Sequence, residues 1–405
     1  MKILFLTDNF YPENNAPAKR VLEHCKQWYN IGHEVTIITG APNFPKGKVY
    51  KGYKNKIYQK ENVKGIIVKR VWTFIAENKG FFLRIMDYLS YMFSSFICGI
   101  FTKKNDVIIA TSPQFFTLIS GYLISVFKRT PLVLEIRDLW PESIVAVGAI
   151  KEDSNIIRFL KKIAKFLYKK SDLIICVTNS FKNDLVNMGI DKSKIKVVEN
   201  GFDLNKTLNP TISINEVEAI YKIKKNNFII SFIGTVGMAH GLNIILDSSK
   251  KLKDVVFLVV GEGAEKKSLI EKTRIGKIKN VKFIDNISWQ EIVNINQVID
   301  LHLVHLKKDK EFKKVIPSKI FESMALKKPI LMGVEGESRI ILNKANCSLN
   351  IIPEDPESLV SVVNEIKDNK LELAKMGKNG YEFLINHFSR KELSKKMINY
   401  IEAIL

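Results

Sequence analysis

Short Val- and Ile-rich runs alternate with amphipathic stretches along the chain, and the pattern runs twice, on either side of a polar gap at residues 203–226. In the first half the runs are KILFLT (2–7), EVTIITG (34–40), GIIVKRVW (65–72), DVIIAT (106–111), PLVLEIR (131–137), LIICVT (173–178) and IKVVENG (195–201). Runs this short, apolar nearly throughout and bounded by turn formers, read as strands buried on both faces. Such strands belong to parallel sheets with helical crossovers. APAKRVLEHCKQWYNIG (16–32) and NIIRFLKKIAKFLYKKS (155–171) are candidate crossovers. After the gap, FIISFIG (228–234), VVFLVVG (255–261), VKFID (281–285), DLHLVHL (300–306) and KPILMG (328–333) repeat the pattern. The expected fold class is α/β, two doubly wound Rossmann-like domains facing across a cleft. Their expected bounds are 1–205 and 206–380, with a helical segment at 381–405 that breaks near His387–Ser389 and has the first domain as one place to pack. A chain of 405 residues is too long for one core and fits two domains of roughly 200 residues.

Composition narrows the partners. With 46% hydrophobic and 26% charged residues the chain is a folded protein, and 63 Lys plus Arg against 42 Asp plus Glu give +21. Such a surface favours phosphates, nucleic acid or acidic lipid, although Lys is abundant throughout the sequence. No nucleic-acid motif or aromatic stacking platform is present, so nucleic acid is not an expected partner. Cys25, Cys98, Cys176 and Cys347 are widely spaced with no His at ligand spacing, which predicts a reducing compartment and no metal site. MKILFLTDNFYPE breaks too early for a signal peptide, and the expected location is the cytoplasm. The apolar stretch FFLRIMDYLSYMFSSFICGIF (81–101) carries Arg84 and Asp87 near one end, so a full membrane span is not expected. It reads as a helix in the membrane interface or one packed under another.

Open parallel sheets bind ligands at the carboxyl ends of their strands, and the loop after the first strand of each half borders the expected cleft. In the first half that loop is TDNFYPENNAPAKR, in which Asn15, Pro17, Ala18 and Arg20 are the candidate substrate contacts. In the second it is IGTVGMAHGLN, with Gly234, Thr235, Gly237, His240 and Gly241. Gly261 and Gly263 follow the next strand, and VIPSKIFESMALKKPIL (315–331) opens a helix at Pro317-Ser318-Lys319-Ile320. Glycines after parallel strands admit a diphosphate to the backbone, and the helix start adds amides and the Lys319 ammonium. Glu322, one turn in, is placed for a pair of hydroxyls such as those of a ribose. Ser318 has ordinary N-capping as its plainer reading. The opening turn of the first half carries Pro and Asn where a dinucleotide fingerprint has Gly, which argues against an NAD enzyme. In EIRDLWPES (135–143), Arg137 and Asp138 either brace a corner as an ion pair or face the diphosphate, where a cation steadies a departing phosphate. Arg137, Asp138 and Glu322 are the candidate catalytic residues.

Together these stretches resemble the retaining GT-B glycosyltransferases of family 4 over essentially the whole chain. The resemblance rests on FYPENNAPAKRV, GHEVTIITG, VVENGFD, FIGTVGMAHGL, VVGEGAEKKSL and IPSKIFESMALKKPIL. APNFPKG, ATSPQFF and EIRDLWPESIVAVG are similar to the O-antigen and capsule branch typified by N-acetyl-L-fucosamine transferases. The resemblance implies a UDP-sugar donor in the second domain, no cofactor, no metal, and transfer with retained configuration to a polyprenyl-diphosphate-linked saccharide bound by the first. It implies that Glu322 is the second glutamate of a Glu-x7-Glu motif. The first is absent, since Lys314 stands eight residues before it and Glu311 three residues earlier still. Thr235 and His240 replace the family's usual Arg and Lys, so Arg137, Lys319 and Lys314 are left to meet the diphosphate charge. A lipid-linked acceptor fits an anionic membrane surface as partner and a peripheral place at its inner face. Arg158, Lys161, Lys162, Lys165, Lys169 and Lys170 supply a basic segment for it, or else a solvated helix face. The competing readings are a nucleotide-sugar epimerase and a non-catalytic basic protein of the membrane surface.

Overall fold

Every one of the Val- and Ile-rich runs forms a strand in the computed structural model, which describes residues 1–75, 81–142, 153–224 and 226–405. The first unit comprises residues 1–200 and 390–405. Its strands are β1 (Lys2–Leu6), β2 (Glu34–Thr39), β3 (Tyr58–Val63), β4 (Ile66–Val71), β5 (Val107–Thr111), β6 (Leu132–Ile136), β7 (Leu173–Cys176) and β8 (Ile195–Val197). They order as β3-β4-β2-β1-β5-β6-β7-β8, parallel throughout except for β3 against β4. The register pairs Ile3 with Val35 on one side and Val107 on the other, so the centre of the sheet is apolar on both faces. β3 is a strand the sequence pattern did not announce. Its exposure alternates along YQKENV because it is the sheet's antiparallel edge, and charged edges resist pairing with another chain.

The second unit, residues 201–389, holds β9 (Phe228–Ile233), β10 (Val255–Val260), β11 (Val281–Ile284), β12 (Leu301–His305), β13 (Ile330–Gly333) and β14 (Ser348–Asn350). All are parallel, in the order β11-β10-β9-β12-β13-β14. β14, three residues long and polar, also escaped the pattern.

The C-terminal segment divides at the expected break. Helix Lys370–His387 lies in the second unit, and helix Arg390–Glu402 lies in the first. There Leu393, Met397, Ile398 and Ile401 join Phe5, Val21 and Trp28 in one buried cluster. The Trp28 indole N–H donates to the Ser394 carbonyl at 3.1 Å.

Strand order reverses beside β1 in the first sheet and beside β9 in the second. The loops after β1 and β5, and those after β9 and β12, therefore part and leave a crevice at each sheet's carboxyl edge. The candidate residues lie on those loops, on the turns next to them and in the first turns of the helices Ala16–Asn30 and Lys319–Ala325.

Candidate functional site

In the second unit the glycines serve the backbone first. A Cβ on Gly261 would stand 2.0 Å from the Gly234 carbonyl oxygen, and one on Gly263 would stand 2.2 Å from that of Val236. Gly234 and Gly261 also hold φ of +133° and +138°, outside the range of other residues. The close approach these glycines permit is thus between the turns after β9 and β10, which continue the sheet through Gly234 N–H to Val260 (2.8 Å) and Val236 N–H to Glu262 (2.9 Å). Gly237 and the exposed Thr235 lie on the same loop, and Gly241 closes it with φ +56°.

His240 fastens that loop to the one after β12. The His305 Nε2 accepts the Glu354 N–H (2.9 Å), so its proton sits on Nδ1 and is donated to the His240 carbonyl at 2.6 Å. His240 Nδ1 returns a bond to the His305 carbonyl at 3.2 Å. Burial, with the neighbouring Lys319, drives the His240 imidazole down to about 3, so it is neutral. A neutral imidazole brings no positive charge to a phosphate, which leaves that charge to other residues. His302 is likewise buried and neutral, held between Ser323 Oγ (3.0 Å) and Asn296 Oδ1 (3.1 Å).

The Pro317-Ser318-Lys319 run opens a two-turn helix, Lys319–Ala325. Ser318 is already helical (φ −59°, ψ −21°) and its hydroxyl makes no cap, which removes the capping reading. Ile320 is buried against the sheet, while Pro317 and Ser318 are partly exposed. Lys319 folds inward beside Gly234, whose hypothetical Cβ would be 2.6 Å from the lysine Cε. Its Nζ lies 3.5 Å from the centroid of the Phe232 ring, buried and without a hydrogen-bond partner. Burial lowers this amine to about 7, against an opposing pull from Glu322. Lys319 and Glu322 line one small cavity with Ile233, Trp289 and His302. Lys314 is instead engaged with Glu311, its Nζ 3.1 Å from both carboxylate oxygens. That pairing engages Lys314, which stands where the first glutamate was expected, with Glu311, three residues before it.

At the edge of the first sheet, Asn15 caps helix Ala16–Asn30 by accepting the Ala18 N–H at 2.9 Å, and Pro17 sits in its first turn. Ala18 and Arg20 are buried. The Arg20 guanidinium donates to Glu135 (2.8 Å), the Val198 and Glu199 carbonyls (3.0 and 2.8 Å) and Asn200 (3.2 Å). Arg20 is therefore a brace between strand ends, and neither it nor Ala18 presents a side chain to an acceptor.

Arg137 and Asp138 follow β6. Ser112 Oγ accepts their backbone N–H groups at 2.8 and 3.3 Å, and the stacking of Trp140 on Phe115 (4.8 Å) pins the turn. The motif runs on from Ser143 outside the described residues. Arg137 Nε and Nη1 are buried with no hydrogen-bond partner, so a bracing Arg137–Asp138 pair does not account for them. Burial lowers Arg137 to about 10, partly offset by Glu135, and raises Asp138 to about 6 against the pull of Arg137.

A carboxylate cluster at this edge was missed. Burial, then Asp87 and Glu13, holds Asp8 well above the usual carboxylate range, and Asp87 is raised by burial to about 6. Asp8 lies two residues past the end of β1, a position the strand pattern could have flagged. Asp87 reaches it from a distant helix, which spacing does not reveal. Glu13 is committed to the Asn43 and Phe44 N–H groups at 2.8 and 2.9 Å.

Two family models match the chain: Glycosyltransferase Family 4 over residues 18–206 and Glycosyl transferases group 1 over residues 213–383. The putative colanic acid biosynthesis glycosyl transferase WcaI of Escherichia coli K12 is 22% identical, with all of both chains covered. The UDP-Gal:alpha-D-GlcNAc-diphosphoundecaprenol alpha-1,3-galactosyltransferase of Escherichia coli is 24% identical, covering 60% of this chain and 66% of its own. Among solved structures, HepE of Anabaena in complex with UDP and glucose superposes with a TM-score of 0.73 at 18% identity, covering 99% of each chain. That likeness places the architecture among GT-B folds.

Proposed function

The chain belongs to the GT-B glycosyltransferases, family 4 in its first half and group 1 in its second, and on that premise we propose that it moves a sugar from a UDP-sugar to a polyprenyl-diphosphate-linked saccharide during surface polysaccharide synthesis. The observation that carries the donor half is the Lys319 amine, buried over the Phe232 ring without a hydrogen-bond partner beside the Gly234 turn. A buried amine without an anion is costly, and a diphosphate at this edge relieves the cost. Glu322, on the same cavity wall, takes the ribose hydroxyls. In the first unit Arg137, with two buried N–H donors unmet, is the group that meets a substrate phosphate, and Asp138 orients a sugar hydroxyl.

The transfer retains configuration. The bond from the anomeric carbon to the β-phosphate oxygen breaks, the acceptor oxygen bonds to the same face of that carbon, and the acceptor proton passes to the departing phosphate. No side-chain base is needed for that proton, and Lys319 holds the charge that develops on the diphosphate. Positive charge from side chains makes a divalent ion dispensable in this reading. The acceptor is supported by the galactosyltransferase relative, whose name gives a diphosphoundecaprenol-linked acceptor, and the pathway class by the colanic acid relative. An N-acetylated amino or deoxyamino hexose is the proposed sugar, after the branch that the sequence resembles.

Calorimetric titration with UDP, with and without EDTA, tests the reading. The expected result is binding indifferent to the chelator and weakened about ten- to a hundredfold in Glu322→Ala, the loss of charged hydrogen bonds to a ribose. Silence toward UDP, GDP and TDP alike would refute it. A binding protein would then be assayed for transfer from UDP-amino sugars to a polyprenyl-diphosphate sugar.

A further inference from the structure

The turn that carries Arg137 and Asp138 is held from one side by a single hydroxyl. Ser112, one residue past β5, is buried, and its N–H donates to the Glu135 carbonyl at 2.9 Å. Its Oγ accepts the Arg137 N–H at 2.8 Å and the Asp138 N–H at 3.3 Å, and it donates toward the Asp138 carbonyl at 3.4 Å. A hydroxyl has one proton and two lone pairs, so these three contacts use all that Ser112 can offer. Two residues on, the ring of Trp140 stacks on Phe115 at 4.8 Å and meets Phe116 edge-on at 6.1 Å, which stops the same turn from sliding.

The side chain on this turn has reason to leave. Glu135 and Arg137 stand two residues apart and project to the same face, yet Glu135 Oε1 is taken by Arg20 at 2.8 Å. Glu135 Oε2 and Arg137 Nε and Nη1 are buried and have no hydrogen-bond partner. Arg20 and Arg390 sit near enough to repel the Arg137 charge, against the pull of Glu135 and Asp138. A buried guanidinium with unmet N–H groups and like charges beside it is costly, and on a free loop it would turn out to water. We propose that Ser112 is the positioning residue of the first unit's phosphate site: its hydroxyl pins the Arg137 backbone, so that the guanidinium stays at the carboxyl edge of β6 with its donors unpaired until a substrate diphosphate meets them. The fold then bears the cost of the unpaired donors in advance and binding removes it, which is what a preorganised cation supplies. The inference rests on the reading of Arg137 as the group that meets a substrate phosphate, and adds the residue through which that group is set.

The test is a double-mutant cycle read in binding. The full chain, saturated with UDP to occupy the second unit, is titrated with farnesyl diphosphate, a soluble polyprenyl-diphosphate probe. The affinity should fall about ten- to a hundredfold in Arg137→Met and by a similar factor in Ser112→Ala, and the double variant should lose no more than either alone. Ser112→Thr, which keeps the hydroxyl, should restore the native value. A substitution that merely loosened the unit would weaken the probe in the Arg137→Met background as well, so additive losses would overturn the proposal. Phenylglyoxal, which modifies accessible guanidinium groups, gives a second readout by peptide mass spectrometry: Arg137 should be spared in the native chain and labelled in Ser112→Ala. Unchanged labelling together with native affinity in Ser112→Ala would also overturn the proposal, while leaving Arg137 its phosphate if Arg137→Met alone lost the probe. Native affinity in Arg137→Met, with labelling gained in Ser112→Ala, would instead refute the reading of Arg137 on which the inference rests, and the hold of Ser112 on the turn would stand.

Discussion

Lys319 is the residue on which most turns. Its burial lowers the amine to about 7 in the folded chain, from about 10.5 when unfolded. Between those values the unfolded chain keeps a proton that the folded one has released, so this residue makes stability rise with pH across the window and imposes its full penalty below it. Lys319→Met should therefore raise the melting temperature of the empty protein, more at pH 6 than at pH 9.5, while weakening UDP at least tenfold. A diphosphate favours the charged amine, so UDP binding at pH 8 should take up a proton, read as a binding heat that changes with the buffer's ionisation enthalpy. Equal UDP affinity in the methionine variant would remove Lys319 from the site. The Pro-Ser-Lys start made Lys319 and Glu322 legible in the sequence. The orphaned state of the amine was not legible, because it depends on Phe232 and Gly234, which lie more than eighty residues earlier. Arg20 illustrates the converse: it stands in the right loop by sequence, yet its guanidinium points into the unit and braces Glu135. Removing it in Arg20→Ala should cost about 3–5 kcal/mol of stability, the usual effect of leaving a buried carboxylate unpaired, as followed by denaturant unfolding.

At the scale of elements the strands were legible because a parallel strand is apolar on both faces, and VVFLVV (255–260) and LIIC (173–176) are short, β-branched-rich apolar runs of that kind. β3 and β14 lacked that mark, one because it is a solvated edge and the other because three residues carry no period. The turns after β9 and β10 yield a sharp prediction. Gly261→Ala would drive a methyl group into the Gly234 carbonyl and hold alanine at φ +138°. The expected cost is about 2–4 kcal/mol from strain and overpacking together. Gly237→Ala, at φ −115° with only the Thr235 methyl at 3.6 Å from its Cβ, should be nearly neutral. Denaturant midpoints of the two variants measure the contrast, and equal midpoints would mean that the loops are free to part.

For the whole molecule, the consequential fact is that the first unit is discontinuous. The chain leaves it after Asn200, builds all of the second unit, and returns at Arg390. The returning helix covers Trp28 and places Leu393, Met397, Ile398 and Ile401 in the core of the first sheet. Fully burying each such side chain contributes about 1.5–3 kcal/mol, so together they supply roughly 6–12 kcal/mol. That is comparable to the entire stability of a typical domain, about 5–15 kcal/mol. The first unit therefore depends for its native state on residues 390–405, which follow the whole of the second unit in the sequence. A chain ending at Ser389 should show this selectively. In scanning calorimetry the transition of the first unit is expected to vanish or to fall well below that of the full chain. The second unit, whose core clusters contain none of residues 390–405, should keep its own transition and its stabilisation by UDP. A peptide of residues 390–405 added in trans should restore the lost transition in part. If the truncated chain kept the native near-ultraviolet signal of Trp28 and both transitions, the terminal helix would be a covering and not part of the core.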